Sequence, residues 1–410
     1  MSLTLTTYDA LLKRRYTTQK VQNLTEAERP LLARLKKDPS FSGSAMAIPL
    51  IHANPQGVAS QSLSIAQGSS SNLKSKAFLI TVGDYFGTVD ISSKVMLASR
   101  DNPGAFLSSK TAETDGLYEQ IADNLHILAW GNGGGAIGRR ASVAGQVITL
   151  SDPTTVYAFE EGMVIAASGD GDGSAGTEAL RSGTGVVTVV DRVNGKVTYT
   201  GTITSFADND YIFRYGDFLG NTGAGLMTGV QNYVYSTDTS VPNLFGMVRT
   251  SDPTRLAGCR IATADLTGRN MEERIKLLGS RMTGRYKAKM FTDGFMNPED
   301  WQTLEIQLNA RGIRSTEDDK TNFGFNVLKV GTGGAMVTIY ADRACPKGTF
   351  FGLRMENWTL YSMTDLIHPY NADGLTMLRK STTNDFEFRL ESFPQLVTNA
   401  PLFQGRVPLP

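Results

Sequence analysis

Four of the five residues from 131 to 135 are glycine: Gly131, Gly133, Gly134 and Gly135, inside LAWGNGGGAIGRR (128–140). A helix or strand does not continue through such a run, because each glycine adds backbone freedom that a regular element must freeze out. The run therefore divides the chain, and what stands on either side decides its meaning. Written G-x-G-x-x-A from Gly131, it has the outline of a dinucleotide-binding turn. That turn must follow a strand, open a helix and be answered by an acidic residue about 20 positions on. Here the order is reversed. Leu117, Ile121, Leu125 and Leu128 recur at helical spacing before the glycines, so residues 102–130 read as a long helix opened by Asn102 and Pro103, with Gly116 as its weak point. β-type sequence follows, and Asp152 arrives too early, in a Ser-Asp-Pro turn. The glycines are read as a helix stop and a hinge.

Residues 141–220 are rich in Val, Thr, Tyr and Phe, as VITL, MVIAAS, GVVTVVDR, KVTYTGTITSF and YIFRYGDF. Asn194-Gly195 between two such runs is a hairpin signal. The segment reads as a small all-β module, and it carries ten acidic side chains against four basic ones. Residues 1–37 lean the other way, with eight basic against three acidic, although the whole chain has a formal net charge of zero. The basic end suits a polyanion and the acidic middle avoids one. Taken alone, the asymmetry describes no more than two solvated faces.

Residues 1–47 read as a polar arm that needs a partner surface. Thr25-x-x-Glu28 offers a capping box before LLARLKK, but Pro30 keeps that helix short or makes it start later. VASQSLSIAQ (58–67) and KAFLITV (76–82) read as strands around the turn GSSSN (68–72), with YFGTVDIS (85–92) as a third strand. A hairpin this long with a polar tip cannot bury itself, so it waves in solvent or lies on another molecule. Met271, Ile275, Leu278 and Met282 form a helical stripe, with Glu272 and Glu273 in its first turn. In NPEDWQTLEIQLNARG, Asn297 caps, Pro298 opens, Glu299 and Asp300 suit the dipole, Gly312 stops, and Trp301, Leu304 and Leu308 face the core. Residues 323–398 alternate as strands around AMVTIYADRACPKGTFFGLRMENWTLY. Strands and helices without regular βαβ repeats argue an α+β fold.

No catalytic motif survives inspection. In SGDGDGSAGTE, Asp170, Asp172 and Ser174 have calcium-loop spacing. Ala175, however, stands where the sharp turn needs glycine, and Arg181 where a bidentate Glu belongs. His52, His126 and His368 lie far apart, with no metal-ligand spacing to each other or to Cys259 and Cys345. There is no G-x-S-x-G and no Walker loop. The expectation is a protein without catalysis, cofactor or metal. Two lone cysteines suit free thiols in a reducing cytoplasm. The N-terminal sequence is not a secretory signal, and no apolar run of membrane length occurs, so no membrane partner is expected.

Four segments carry a resemblance: ERPLLARLKKDPSFSGSAMAIPLIHANPQGVASQSLSIAQ, GTVDISSKVMLAS with the helix after it, GFMNPEDWQTLEIQL, and IYADRACPKGTFFGL. In order and spacing they resemble the major capsid proteins of tailed bacteriophages, whose fold is shared with encapsulins and the herpesvirus capsid floor. The resemblance covers most of the chain outside 141–220. It implies an α+β capsid fold divided as an N-terminal arm (1–47), an extended loop with the start of the peripheral domain (48–98), and a spine helix with glycine hinge (99–140). An inserted β domain (141–220) follows, then the axial domain with peripheral-domain strands (221–370) and C-terminal peripheral strands with a tail (371–410). Gly68, Ser69, Ser70, Ser71, Asn72, Lys74 and Lys76 would be the inter-subunit loop tip, and Lys13, Arg14, Arg15, Lys36 and Lys37 the arm contacts.

The implied function is self-assembly, as hexamers and pentamers, into an icosahedral virion shell around double-stranded DNA, built in the cytoplasm of a bacterial host. DNA contact would be non-specific and salt-sensitive. No long charged helical leader is seen, so a separate scaffolding protein is expected, with a portal and a decoration protein as further partners. No Lys–Asn cross-linking pattern is found. The rival readings are an encapsulin-like compartment shell, an enzyme built on the glycine turn, and a carbohydrate-binding role for 141–220.

Overall fold

The computed structural model describes residues 29–94, 103–171, 180–218, 225–236, 241–310, 327–332, 335–371, 374 and 377–410, with the backbone alone at 103–112, 309–310 and 327. Its longest element is the helix Pro103–Trp130, 28 residues, or about 42 Å at 1.5 Å per residue. Gly116 does not interrupt it. The expected cap, Asn102, lies outside the described residues. The C-terminal half of the apolar stripe is deeply buried, with Ile121, Leu125, Leu128, Ala129 and Trp130 all in the core. Trp130 ends the helix against Phe295 and Phe351, with ring centroids 5.6 and 5.4 Å apart.

Those two phenylalanines belong to a six-stranded mixed sheet. Its order is Cys259–Arg260, Gly405–Pro408, Thr349–Leu353, Asp293–Met296, Ala335–Ala341, Val327–Thr332. Because strand side chains alternate between faces, this sheet separates two cores. Phe295, Tyr340 and Phe351 face the long helix, whereas their neighbours Met296, Ile339 and Phe350 face a second core. Two helices cover that second face. Met271–Gly284 opens on a capping box between Asn270 and Glu273 and buries Met271, Ile275, Leu278 and Met282, the stripe expected from its spacing. Pro298–Ala310 buries Leu304 and Leu308. Its cap is Asn297, whose Oδ1 accepts from Glu299 N at 3.1 Å; the expected stop, Gly312, lies outside the described residues.

A closed barrel follows the glycine run. Its strands are Ala136–Ala144, Val147–Leu150, Val164–Ser168, Gly183–Asp191, Lys196–Ile203 and Tyr211–Arg214. Ile148, Phe159, Ile165, Val187, Val197 and Ile212 fill it. The Asn194-Gly195 turn is held by Asp191, whose carboxylate accepts from Val193 N, Asn194 N and Asn194 Nδ2. The first barrel strand starts at Ala136, so AIGRR is barrel and not hinge.

Two expectations for the N-terminal third need correction. Residues 58–67 are not a strand. Leu63–Gly68 is a short helix, capped by Ser62, whose hydroxyl accepts from Ile65 N, and ended by Ser69, whose hydroxyl donates to Ile65 O. Serine side chains satisfy the terminal backbone groups that a strand would have paired. The true partner of Lys74–Ile80 is Met46–Ala53, antiparallel, with Leu50 opposite Lys76. The arm, in turn, is not free as far as residue 47. Pro30–Arg34 is a helix with Pro30 in its first turn, and Leu31, Leu32, Leu35 and Phe41 are buried in the chain's own core. Lys36–Asp38 pairs parallel with Trp358–Ser362, which pairs antiparallel with Pro394–Thr398. No helix among the described residues is long and apolar enough to cross a membrane.

Candidate functional site

The hairpin Met46–Ala53/Lys74–Ile80 is a two-stranded sheet that pairs with no other strand among the described residues. Its root is anchored. Phe78 and Ile80 are fully buried, and Phe78 meets the edge of Tyr233 at 5.8 Å. Lys76 Nζ donates to Val248 O at 2.5 Å and to Ser251 Oγ at 2.7 Å, and Arg255 Nη1 donates to His52 O at 2.5 Å. Lys76 thus fastens the root instead of lining the tip, a correction to the expectation from sequence. A lysine two residues into a strand reaches whatever the strand lies beside, and no local pattern announces that neighbour.

The tip, residues 54–73, is uncovered. Gly68, Ser69, Ser70, Ser71, Asn72 and Lys74 are all exposed, and the helix Leu63–Gly68 has no buried residue. Sequence reasoning put polar residues forward here and missed the apolar ones. Val58 is 93% exposed, Leu63 73%, Ile51 64%, Leu79 54%, Ile65 51% and Leu73 46%. Scattered exposed apolar residues are ordinary, but here six lie on one hairpin, four of them in residues 54–73.

The glycine run is a packed junction. Gly131 N donates to Ile127 O and Leu128 O at 3.1 and 3.0 Å, closing the long helix. Gly133 and Gly135 take φ of +86° and +85°. A Cβ on Gly135 would lie 2.4 Å from Asp217 O, at the barrel's exit. Asn132 ties the two sides: its Nδ2 donates to Gly171 O at 3.4 Å, and its own carbonyl accepts from Asn232 Nδ2 at 3.0 Å. Gly134 and Gly135 are buried. In this structure the glycines serve close approach and positive φ.

The chain entering the core is latched by charge. Arg29 pairs with Asp123 at 2.7 Å and with Glu119, both on the long helix. Arg34 pairs with Asp293 at 2.5 Å and stacks on Tyr340, 4.4 Å from its ring centroid. Asp342 accepts from Leu31 N at 3.2 Å, from Ala344 N at 3.0 Å and from His126 Nε2. Burial alone would raise the Asp342 pKa. The charge and hydrogen bond of His126, with the backbone N–H groups, outweigh it and hold the carboxyl below its ordinary value. Lys36 and Lys37 are exposed on the strand that this latch positions. Lys13, Arg14 and Arg15 lie outside the described residues, as do Asp172 and Ser174 of the calcium-like loop. Of the other residues weighed for chemistry, Cys259 and Cys345 are buried free thiols, and burial pushes both above the ordinary thiol range, so neither is a ready nucleophile. Among the described residues there is no cluster of metal-ligating side chains.

No protein-family model matches the sequence, and no curated protein matches it. Solved structures do match in three dimensions. A capsid subunit of cyanophage A-1(L) aligns over 97% of this chain and 97% of its own, at 12% identity and a TM-score of 0.49. A chain from Mycobacterium phage Ogopogo aligns over 98% of this chain and 99% of its own, at 9% identity and 0.46. The SrpI encapsulin of Synechococcus elongatus aligns over 100% of this chain and 96% of its own, at 7% identity and 0.44.

Proposed function

We propose that this chain is the major capsid protein of a tailed bacteriophage, a subunit that assembles with its own copies into a closed icosahedral shell around double-stranded DNA. The observation that carries the reading is the hairpin. A two-stranded ribbon in isolation is marginal, yet this one is pinned at its root and offers six large apolar side chains at and beyond it. Such a surface gains by lying on a neighbouring subunit. Repeated around a ring, many such contacts add by multivalency. The four sequence segments that resemble tailed-phage capsid proteins fall on the latch, the hairpin, the long helix and the six-stranded sheet.

In this reading the long helix is the spine, and residues 48–98 contain the extended loop, whose uncovered part lies over the adjacent subunit. Residues 221–370 include the axial domain that meets its copies in hexamers and pentamers. The barrel has its own core and an acidic sequence, which suits an insertion facing away from the DNA. The basic N-terminal residues, with Lys36 and Lys37, face a neighbour or the genome. The glycine junction is where spine and barrel would adjust between ring positions. A separate scaffolding protein, a portal and a decoration protein are the partners this assembly calls for.

Electron microscopy and light scattering on the protein expressed with its neighbouring genes test the reading. Closed shells or polyheads are the expected result; a monomer or dimer unchanged by the scaffold candidate overturns it. Nuclease-resistant DNA inside the shells separates a virion from an encapsulin-like compartment, which would instead retain a protein cargo.

A further inference from the structure

An open cavity of about 390 Å³ lies beside the glycine junction, between the barrel and residues 231–236 and 242–243, with Arg406 of the six-stranded sheet in its wall. That is the size of a small-molecule site. Its sheet side is set by an unusual pairing. Arg260 and Arg406 are register partners on adjacent parallel strands, so their side chains leave the same face. Like charges directly opposite each other on a sheet are destabilising unless something answers them. Arg260 is answered by carbonyls: its guanidinium donates to Tyr235 O, Pro253 O and Gly258 O at 3.2, 2.5 and 3.3 Å. Arg406 is not. Its side chain stacks over Phe351, 5.3 Å from the ring centroid, lines the cavity, and makes no hydrogen bond or ion pair with any described residue. Burial presses its pKa downward and Arg260 adds to this, while Cys345 and Tyr235 act in the opposite direction.

The rest of the lining is polar. Gln231, Tyr235, Ser236 and Asn243 supply amide and hydroxyl groups on the body side. Asp170, on the barrel side, is the one carboxylate among the described lining residues. A guanidinium placed over an aromatic ring keeps a planar fork of N–H donors that suits an oxyanion.

We infer that this cavity is a binding site for a small, polar, oxyanion-bearing molecule, with the oxyanion on Arg406 and hydroxyls on the surrounding amide and hydroxyl side chains. The inference stands independently of the assembly role, since it rests on the residues that line this one cavity. Asp170 then acts as a filter: it disfavours anions that fill the cavity with charge and favours those carrying charge at one end.

Equilibrium dialysis of the full-length protein against inorganic phosphate, glucose 6-phosphate and glucose tests it. The expected result is one phosphate per chain, displaced by glucose 6-phosphate and not by glucose. Arg406→Gln weakens binding about tenfold or more, Arg406→Lys retains part of it, and Asp170→Asn tightens it. Circular dichroism shows whether each variant is folded. Tighter binding of glucose 6-phosphate than of phosphate identifies an organophosphate ligand; equal binding identifies the free ion. No saturable phosphate binding, equal affinity in folded Arg406→Gln, or equally tight glucose binding overturns the proposal.

Discussion

His126 Nε2 and Asp342 Oδ1 stand 2.9 Å apart with neither side chain exposed to solvent. The pair joins the long helix to the residue that directly follows the strand Ala335–Ala341, and through Leu31 N it also holds the helix Pro30–Arg34. Removing the carboxylate strands three donors in the interior. Asp342→Ala is expected to cost about 3–5 kcal/mol, the usual penalty for breaking a buried pair from one side. Urea unfolding of the unassembled subunit measures it; a loss under about 1 kcal/mol would show that the latch is not structural.

The same carboxyl predicts an acid limb. Its folded pKa lies below the unfolded value of about 3.9. Its stabilisation is therefore complete above the unfolded value and is lost as pH falls through the folded one. Asp342→Asn should flatten that limb, and a denaturation midpoint followed from pH 5 downward reads it.

Asp217 has the opposite sign. Burial pushes its carboxyl up to about 6, with Arg214 opposing. A raised carboxyl contributes stability below about 3.9 that is lost as pH rises through 6. Asp217→Asn should be more stable than the native chain at pH 7 and should remove the dependence between those values. Thermal unfolding of both proteins across that range decides; parallel profiles would rule out Asp217 as the source.

Gly135 and Gly145 separate two reasons for glycine. Both take positive φ, but a Cβ at Gly145 meets nothing within 4 Å, whereas at Gly135 it meets Asp217 O at 2.4 Å. Gly145→Ala should cost about 1–2 kcal/mol, the left-handed penalty alone. Gly135→Ala should cost more, because backbone must shift as well. Equal losses would mean that the junction is looser than its contacts.

The hairpin prediction concerns assembly. Leu63→Asp with Ile65→Asp changes two exposed side chains, so circular dichroism and melting temperature should hold while shells fail to form in electron micrographs. Normal shells from this variant would remove the hairpin from the proposed contact.

Much of the α-helical structure was legible because it is local. The spacing of Leu117 to Leu128, the Asn297-Pro298 start and the Met271 to Met282 stripe each specify their own helix within a few turns. The β character of 141–220 was equally plain, since Val, Thr and Tyr runs punctuated by Asn194-Gly195 need no distant information. The apolar hairpin tip was less legible: Val58, Leu63 and Ile65 look like core residues until the fold leaves them outside.

By itself the sequence determined the three longest described helices, where the longest of them stops, and the β character of 141–220. Only the tertiary structure decided that Met46–Ala53 and not residues 58–67 pairs with Lys74–Ile80, that six strands close into a barrel, that Lys76 serves the hairpin root, and that Arg406 faces Arg260 across a register. The reason is physical. Helix periodicity and turn chemistry act over a few residues, whereas strand pairing and the company of a buried charge depend on residues far apart in sequence, and their free energy exists only once the chain has brought them together.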